Sequence, residues 1–447
     1  MDEKVIVIGG GFAGLAAAQS LSRKGQPVML LERKPHLGGR AYSFVDKKTG
    51  DEIDNGQHFL MGCYTETLSF LKEIGSTRKL YFQPNLRIDF LDPERGRSSL
   101  ACPPLPAPFH VLFGILRMRS LSVFDRLSSL LLGWGMARSA LRRNGTDRET
   151  AIEWLRSAGQ SEGIRSRLWD IVTLATLNER PERASAKLLV EVIRQALLSD
   201  RSKSRMVISR VGLSSLYTDD ARRAIESKGG SVRSDASVQQ ILFDEGKVRG
   251  VRLAGGETIA ARSVISAVPA PALSAMLPEK VLERLPAVGR CRDLKTSPIL
   301  SVNVWFDRPL LSQPFVGLHG VDVQWIFNKD KIHSRGDRMG HFLSFVVSNA
   351  TSFLDRPREE ILGRVLSDLR RLIPEAKEAK VLHSVIVMER DATISQTPDT
   401  DSIRPGPVTP YRSFFLSGDW TDTGLPATIE GAVRSGRRAA RICMEEH

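Results

Sequence analysis

Residues 4–32 read KVIVIGGGFAGLAAAQSLSRKGQPVMLLE, and this stretch decides the fold of the surrounding chain. The apolar run at 4–8 predicts a short buried strand, the Ala-rich run at 11–24 a helix, and the run at 27–31 a second strand. A strand, a helix and a strand in this order form a βαβ unit, which lays down a parallel sheet. The stretch therefore predicts an α/β fold.

Three glycines between the first strand and the helix form a Gly-x-Gly-x-x-Gly turn. Glycines at these places allow a tight bend, the close approach of a pyrophosphate and close packing of helix on sheet, and the helix N-terminus favours phosphate charge. Glu32 ends the second strand, where a carboxylate bonds ribose hydroxyls and disfavours the 2′-phosphate of NADP. The residues predicted to bind a dinucleotide here are Gly9, Gly11, Phe12, Ala13, Gly14, Glu32 and Arg33.

A second glycine turn, LGGRA at 37–41, follows shortly after Glu32. It resembles the GG-R element of the FAD-binding amine oxidase and phytoene desaturase superfamily, in which the turn lies along the pyrophosphate and the flavin. The resemblance implies that Gly38 and Gly39 line the cofactor and that Arg40 neutralises phosphate charge. FAD is therefore the predicted cofactor.

The C-terminal stretch FLSGD at 415–419 resembles the second FAD signature of the same superfamily. The resemblance implies that Gly418 and Asp419 meet the ribityl chain. Thr428 and Ile429 then begin a helix whose positive end would stabilise the anionic reduced flavin. Val238 matches the position that contacts the adenine through its backbone.

The polar cluster DNGQH at 54–58 lies between apolar neighbours. It aligns with the superfamily position where an acidic residue, a glycine and a polar partner lie against the isoalloxazine ring. The resemblance implies that Gly56 permits close backbone approach to the ring and that Gln57 and His58 contact it. His58 and Asp54 are the candidates for proton transfer. The alternative is structural: Asp54 only fixes the turn, and His58 only bonds a carbonyl.

Four longer segments resemble one subfamily, the bacterial hydroxysqualene dehydroxylases of squalene and hopanoid synthesis. They are DNGQHFLMGCY (54–64), LNERPERASAKLL (177–189), VQWIFNK (323–329) and FFLSGDWTDTGLPATIEGAVRSG (414–436). The resemblance implies an oxidoreductase that removes the allylic hydroxyl of hydroxysqualene, a C30 isoprenoid, with hydride passing from reduced FAD to an allylic cation after water loss. It does not name the electron donor.

Other functions fit the same motifs. An oxidative carotenoid or phytoene-type desaturase would share the fold and FAD but move hydride from the lipid to the flavin. A non-catalytic, FAD-bound scaffold for terpenoid enzymes would hold the cofactor without turnover. An amine oxidase is disfavoured because its site needs an aromatic cage around the amine, and Trp420 has no tyrosine beside it.

The FAD motifs lie in separated segments, which predicts a discontinuous Rossmann-type domain with two insertions that build the substrate chamber. The predicted FAD-binding domain comprises residues 1–61, 205–275 and 411–447. The first insertion, residues 62–204, belongs to a stretch of mainly helical pattern from about 59 to 210 and is predicted to be a helical, membrane-facing region. The second, residues 276–410, is predicted to be a mixed α+β substrate domain.

Within the second insertion, the hydrophobic pattern predicts individual elements. Continuous apolar runs predict strands at 299–306 and 341–348, and an amphipathic pattern predicts a helix at 358–372.

The composition is that of a globular protein of 447 residues with a formal net charge of +13. The four cysteines form no Cys-x-x-Cys pair and have no histidine at metal spacing, which argues against disulfides and a zinc site and fits a reducing cytoplasm. They are Cys63, Cys102, Cys291 and Cys443. The strand that starts within four residues of Met1 argues against a signal peptide.

The basic excess is regional, since residues 111–210 hold 18 Lys/Arg against 10 Asp/Glu. Arginines mixed with Leu, Phe and Trp favour an anionic membrane surface over a plain solvated face, and the lack of a stacking motif disfavours nucleic acid. The stretch 105–143 is predicted to form a membrane-facing entrance, with a helical core as the alternative. Arg117, Arg119, Asp125 and Arg126 interrupt the apolar run at about 111–136 and exclude a spanning helix. The predicted location is therefore cytoplasmic and peripheral, on the inner face of the cell membrane.

Overall fold

The βαβ unit predicted at the start of the chain is confirmed by the computed structural model, which describes residues 4–141, 146–333 and 339–446. The strands Val5–Ile8 and Val28–Leu31 pair in parallel, and the helix Phe12–Arg23 connects them. Successive strand residues point to opposite faces of the sheet. Val5 and Val7 therefore pack under the helix, while Ile6 and Ile8 pack into a second core on the other face.

The elements are numbered in chain order. The strands are β1 (Val5–Ile8), β2 (Val28–Leu31), β3 (Ser43–Val45), β4 (Glu52–Asp54), β5 (Leu60–Met61), β6 (Leu80–Phe82), β7 (Arg87–Asp92), β8 (Gly96–Ala101), β9 (Met206–Ser209), β10 (Ser231–Arg233), β11 (Val238–Asp244), β12 (Lys247–Leu253), β13 (Thr258–Ala260), β14 (Ser263–Ser266), β15 (Thr296–Phe306), β16 (Phe315–Leu318), β17 (Trp325–Asn328), β18 (His341–Ser348), β19 (Val381–Ile394) and β20 (Phe414–Leu416). The α-helices are α1 (Phe12–Arg23), α2 (Thr65–Glu73), α3 (Phe109–Leu116), α4 (Val123–Ser128), α5 (Leu132–Leu141), α6 (Ala151–Ser157), α7 (Glu162–Ile164), α8 (Asp170–Leu177), α9 (Ala186–Val192), α10 (Leu213–Glu226), α11 (Ala270–Met276), α12 (Glu279–Glu283), α13 (Pro286–Arg292), α14 (Lys329–Ile332), α15 (Arg358–Leu372), α16 (Pro398–Ile403) and α17 (Ile429–Glu445).

A parallel sheet with the strand order β10-β2-β1-β14-β20 gathers strands from distant parts of the chain. Helices α1, α10 and α17 pack on one face of this sheet, around a core that includes Leu15, Leu216 and Val433. The antiparallel strands β11, β12 and β13 and the helix α11 lie toward the other face. Both faces are covered, as a parallel sheet requires.

A larger mixed sheet has the order β19-β15-β18-β17-β16-β7-β8. The predicted strands at 299–306 and 341–348 are confirmed as parts of β15 and β18, and the predicted helix at 358–372 is α15. One face of the sheet packs against α15. The other face carries aromatic side chains of β16 and β17 toward the helices between α3 and α9.

The prediction of a mainly helical pattern from about 59 to 210 is wrong for residues 60–61, 80–101 and 206–209, where the strands β5 to β9 lie. β7 and β8 pair with each other, and β7 extends the mixed sheet through β16. The sequence RIDFLDPERGRSSLA (87–101) explains why these residues form strands. Its apolar and polar residues alternate and a turn lies at its centre, which favours a hairpin. The predicted helical region of residues 62–204 thus supplies strands to the sheet of residues 276–410.

Among the described residues, no helix combines the length and the apolarity needed to cross a membrane. Residues 142 and 143 of the predicted membrane-facing stretch lie outside the described residues, as do residues 1–3 and 447 of the predicted FAD-binding domain.

Candidate active site

The first glycine turn is shaped by close backbone contacts. Gly9 has a φ of +106°, and a Cβ atom at Gly14 would lie 1.9 Å from the Gly9 carbonyl oxygen. The Glu32 carboxylate accepts hydrogen bonds from the Gly10 amide at 2.7 Å and the Lys34 amide at 2.9 Å. No side chain caps the first turn of α1. The turn therefore offers an uncapped helix N-terminus beside a fixed carboxylate, which suits a dinucleotide.

The second glycine turn lies directly against the first. The Gly38 amide donates to the Gly10 carbonyl at 2.9 Å, and a Cβ atom at Gly39 would lie 3.1 Å from the Gly11 Cα. The Tyr217 hydroxyl donates to the Gly38 carbonyl oxygen at 2.9 Å, and the Tyr217 ring stacks on the ring of Phe12. With no side chain between them, the two turns form a cradle for an extended phosphate-bearing ligand.

The C-terminal signature meets the second turn. Asp419 forms an ion pair with Arg40, which is 379 residues away in the sequence. Gly418 has a φ of +131°, and its amide donates to the Ser435 hydroxyl at 2.8 Å. The Thr428 side chain caps α17, and this helix end faces the same space as the glycine turns.

The DNGQH cluster divides into structural and cavity-facing residues. The buried Asp54 carboxylate accepts from Lys329 Nζ at 2.8 Å, the Leu213 amide at 2.8 Å and the Ser43 hydroxyl at 2.7 Å. Asn55 holds the backbone of residues 40 and 42. Lys329 Nζ also donates to Gln57 Oε1 at 2.7 Å. Asp54 thus holds the start of the segment 54–58, and Gln57 and His58 at the end of this segment face the cavity.

Burial and charge set the protonation of this cluster. Burial alone would raise the pKa of Asp54, but the ammonium group of Lys329 and the hydrogen bonds outweigh it, and the pKa lies below its ordinary value. Burial lowers the pKa of His58, and the charge of Asp54 opposes this only in part. Near pH 7 the carboxylate is therefore charged and the imidazole is neutral.

A cavity joins these features. The predicted site residues that line it are Gly9, Gly11, Phe12, Ala13, Glu32, Arg33, Gly38, Gly39, Arg40, Gly56, Gln57, His58, Val238, Gly418, Asp419, Thr428 and Ile429. Gly14 and Asp54 are not part of the lining: Gly14 packs against the Gly9 carbonyl and Asp54 lies among its hydrogen-bond donors. The structure brings the predicted residues together, while their contacts with a cofactor remain predictions.

The same cavity continues between the helices and the mixed sheet. Its further lining is apolar and includes Leu86, Ile88, Phe90, Leu100, Val111, Leu168, Ile171, Val172, Ala196, Leu197 and Ile299. Leu168, Ala196 and Leu197 belong to the π-helical turns Arg165–Trp169 and Ile193–Leu198. Such turns place side chains that a regular α-helix would direct elsewhere and are frequent at functional sites.

Sequence reasoning missed the partners of the DNGQH cluster. It assigns no role to Lys329 or to the aromatic residues before it in VQWIFNK (323–329). It likewise gave no role to Asn178, which ends α8 at a φ of +49°, lines the cavity and donates to the Ser297 carbonyl at 3.0 Å. A signal was present in VQWIFNK, since a lysine beside apolar residues needs a buried partner.

The sequence matches known proteins along its whole length. The model of the family described as flavin containing amine oxidoreductase matches residues 12–444. Hydroxysqualene dehydroxylase from Sinorhizobium fredii is 30% identical over 100% of this chain and 99% of its own, and the enzyme of that name from Rhodopseudomonas palustris is 30% identical over 99% of each. The 15-cis-phytoene desaturase of Narcissus pseudonarcissus is 25% identical over 99% of this chain and 80% of its own.

Solved structures share the fold at lower identity. An oxidoreductase from Methanosarcina mazei superposes with a TM-score of 0.74 at 19% identity, covering 98% of this chain and 100% of that one. A putrescine oxidase variant gives 0.70 at 17% identity, covering 99% of each chain. The chain therefore belongs to the flavin containing amine oxidoreductase family and, within it, to the hydroxysqualene dehydroxylases, which makes it a flavin-dependent oxidoreductase.

Proposed function

We propose that the protein catalyses the FAD-dependent reductive dehydroxylation of hydroxysqualene to squalene, a step of squalene and hopanoid synthesis. The observation that carries the proposal is the continuity of one cavity from the paired glycine turns to an apolar lining between helices and sheet. Ligand pockets of this kind bury apolar molecules and orient them with few polar groups. The relatives named hydroxysqualene dehydroxylase support the same substrate.

The residues of the cradle fit FAD. The facing glycine turns leave room for a pyrophosphate, Glu32 is fixed where ribose hydroxyls would lie, and Arg40 supplies positive charge. The negative charge of Glu32 would disfavour a 2′-phosphate. FAD is the proposed cofactor, and when an external electron donor has reduced it, it supplies a hydride.

The chain's own residues supply the remaining chemistry. The apolar lining holds the hydrocarbon and limits the access of water, which would otherwise compete with the hydride for a cation. His58 is the proposed proton donor to the leaving hydroxyl, because it lines the cavity beside Gln57. Asp54 and Lys329 hold that segment in place. The C–O bond then breaks, its electron pair leaves with the oxygen as water, and the carbon accepts the hydride.

Product identification tests the proposed function. Protein loaded with FAD and reduced anaerobically with dithionite is expected to convert hydroxysqualene into squalene, identified by gas chromatography and mass spectrometry. Fully reduced protein that returns the alcohol unchanged would reject the proposal. His58→Ala and Asp54→Asn, in separate proteins, are expected to slow the reoxidation of the flavin by substrate. Unchanged rates would remove these side chains from the reaction.

An oxidative polyene desaturase is the second candidate, favoured by the likeness to 15-cis-phytoene desaturase. The two functions move hydride in opposite directions. Anaerobic mixing therefore separates them: a desaturase bleaches the absorbance of oxidised flavin when phytoene is added, whereas the dehydroxylase reaction restores it from the reduced state.

We also propose that the region between α3 and α5 binds an anionic membrane surface from the cytoplasmic side. Large apolar side chains are exposed there, with Val123 at 71%, Phe124 at 73% and Trp134 at 61% of their full accessibility. The others are Phe109, Phe113, Leu127, Leu130 and Leu131. Large exposed apolar side chains grouped along one short stretch of chain are typical of interaction sites. We call these eight residues the apolar patch.

Charge and the course of α3 support a lipid partner. The exposed Arg117 and Arg119 lie beside the patch, as on interfacial helices that bind anionic lipid. Val111 lines the cavity while Phe109 and Phe113, on the same helix, are exposed, so α3 separates the cavity from the patch. A C30 substrate leaving a bilayer would have a short path to the cavity. Co-sedimentation with anionic vesicles is the measurement that tests this attachment.

A further inference from the structure

Four aromatic rings meet beside His58. The centroid of Phe59 lies 4.7 Å from Phe315, 4.8 Å from Phe327 and 5.4 Å from Trp325. Phe59, Trp325 and Phe327 line the cavity, and Phe315 is not among its lining residues. We call Phe59, Trp325 and Phe327 the aromatic wall. Phe59 follows His58 in the chain, so the wall adjoins the predicted position of the flavin and of the leaving hydroxyl.

Lys329 fixes the wall relative to His58. It follows β17, the strand that carries Trp325 and Phe327, and its side chain is 1% exposed. That group donates to Gln57 at 2.7 Å and to Asp54 at 2.8 Å. The strand with the aromatic rings and the segment with His58 are therefore tied together by one buried cation. Rigid support of this kind keeps a site in its productive geometry.

Within the part of the chain that the structure describes, no carboxylate lies in this part of the lining. Among the described residues that line the cavity, the carboxylates are Glu32 and Asp419. Glu32 accepts from the backbone of the first glycine turn, and Asp419 is paired with Arg40. Both lie at the predicted cofactor end. A positive charge that develops on a hydrocarbon in the apolar part therefore meets aromatic side chains rather than carboxylates.

We propose that the aromatic wall of Phe59, Trp325 and Phe327 stabilises an allylic carbocation of the substrate by cation–π interaction. This inference rests on the proposed function. Ionisation breaks the allylic C–O bond, the oxygen takes a proton and both bonding electrons and leaves as water, and the cation is then reduced by a hydride from the reduced cofactor. Aromatic faces carry negative potential and hold a cation without removing its protons, which would divert it to a diene.

Fluorination of Phe327 separates this electrostatic role from packing. Site-specific replacement of Phe327 by mono-, di- and trifluorophenylalanine withdraws electron density from the face of the ring while nearly keeping its shape. Single-turnover squalene formation by the reduced holoenzyme is expected to fall stepwise, to about a tenfold loss with three fluorines. A rate that stays flat along the series would overturn the proposal. Equal flavin content and melting temperature across the series show that the fold is intact.

Oxygen exchange tests ionisation without hydride transfer. Holoenzyme with oxidised FAD is incubated with ¹⁸O-labelled hydroxysqualene in ordinary water, where ionisation and recapture by water replace the label. Wild type is expected to lose label, and Trp325→Leu and Phe327→Leu about tenfold more slowly. Phe315→Leu is the matched control, because this ring packs in the same cluster outside the lining, and its exchange is expected to equal that of wild type.

The outcomes distinguish this inference from the proposed function. If wild type makes no squalene, the function itself fails. If it makes squalene at a rate that stays flat along the fluorinated series, or if the Leu variants at 325 and 327 slow exchange no more than Phe315→Leu does, the function stands and the aromatic wall is rejected.

Discussion

The buried ion pair between Lys329 and Asp54 gives the sharpest prediction at the scale of single residues. Both side chains are at most 4% exposed, and the carboxylate has a lowered pKa because the ammonium and its other donors outweigh the effect of burial. Lys329→Met would leave a buried carboxylate without its cation. We expect the free energy of unfolding at pH 7 to fall by about 3–5 kcal/mol, measured by urea denaturation.

The loss of unfolding free energy in Lys329→Met is expected to depend on pH. In wild type the folded pKa of Asp54 lies below the unfolded value, so the stabilisation is present above that unfolded value, about pH 3.9, and is lost as the pH falls through the folded pKa. In Lys329→Met the effect of burial loses its main counterweight, so the pKa of Asp54 should rise and the deficit should shrink toward acid pH. Lys329→Met with Asp54→Asn, which removes both charges and keeps an oxygen that accepts from the Leu213 amide and the Ser43 hydroxyl, should recover much of the loss. A deficit that persists in this double variant would assign it to packing and lost hydrogen bonds rather than to an unpaired charge.

His58 is expected to give the reaction an acid dependence. Because burial lowers the pKa of its ring below the ordinary value of about 6.5, the protonated form increases only as the pH falls below that value. If His58 is the proton donor, single-turnover flavin reoxidation by hydroxysqualene should accelerate from pH 8 toward pH 5, with a midpoint below pH 6.5. His58→Gln should flatten this profile. The same profile in both proteins would exclude His58 as the titrating group.

Local spacing explains which site residues the sequence predicted. The glycines of the first turn and Glu32 lie within one βαβ unit, where the chemistry of phosphate and ribose fixes the spacing. Lys329 is 275 residues from Asp54, and their contact depends on where β17 pairs in the mixed sheet. No local pattern sets that distance. The role of Lys329 therefore required the tertiary structure.

At the scale of elements, the packing of α17 on α1 is predicted to tolerate no added methyl group at Gly436. A Cβ atom there would lie 2.1 Å from the Ala13 carbonyl oxygen, a backbone atom that cannot move without α1. Gly436→Ala should destabilise the protein by about 1–3 kcal/mol and weaken FAD binding, because α17 would shift. Gly363→Ala in α15 is the matched control: nothing lies within 4 Å, and a gain of about 0.5–1 kcal/mol is expected. Equal melting temperatures for the two variants would contradict the packing argument.

The apolar patch gives a second prediction at this scale. Phe113→Glu, Phe124→Glu and Trp134→Glu together should reduce co-sedimentation with phosphatidylglycerol vesicles at least tenfold, since each change removes an inserted side chain and adds repulsion. The control is Val408→Glu, which alters a side chain that is 63% exposed outside the patch. Turnover of vesicle-bound hydroxysqualene should fall in the triple variant, while turnover of detergent-solubilised substrate should not. Full vesicle binding by the triple variant would reject the membrane role.

Sequence patterns predicted elements well where one face of the element is buried. The helix at 358–372 alternates apolar and charged faces, and the structure gives the same bounds. The hairpin of β7 and β8 was missed because its alternating pattern is short and lies among helical segments. Its location at the edge of the mixed sheet depends on a parallel pairing with β16, which comes more than 200 residues later in the chain.

At the scale of the whole molecule, the cavity is assembled from chain segments that are far apart in sequence. The parallel sheet takes its strands from residues 5–31, 231–266 and 414–416, and the turns after these strands line one side of the cavity. The mixed sheet and the helices line the other side. The division into domains at residues 61, 204, 275 and 410 remains a prediction, and the contribution of β7 to the mixed sheet shows that contacts cross it.

A ligand that fills such a cavity should stabilise the molecule as a unit. FAD would touch the turns after β1, β2, β14 and β20 at once, so it should shift one cooperative unfolding transition rather than a local one. At a free concentration 100 times its Kd, the expected gain is about 2.7 kcal/mol, and each further tenfold adds about 1.4 kcal/mol. Calorimetry of the protein stripped of flavin, titrated with FAD, measures this. FMN is the matched ligand, because it carries the flavin ring but no adenosine to reach Glu32 and Val238. It should stabilise much less, and equal stabilisation by FMN would refute the proposed dinucleotide site.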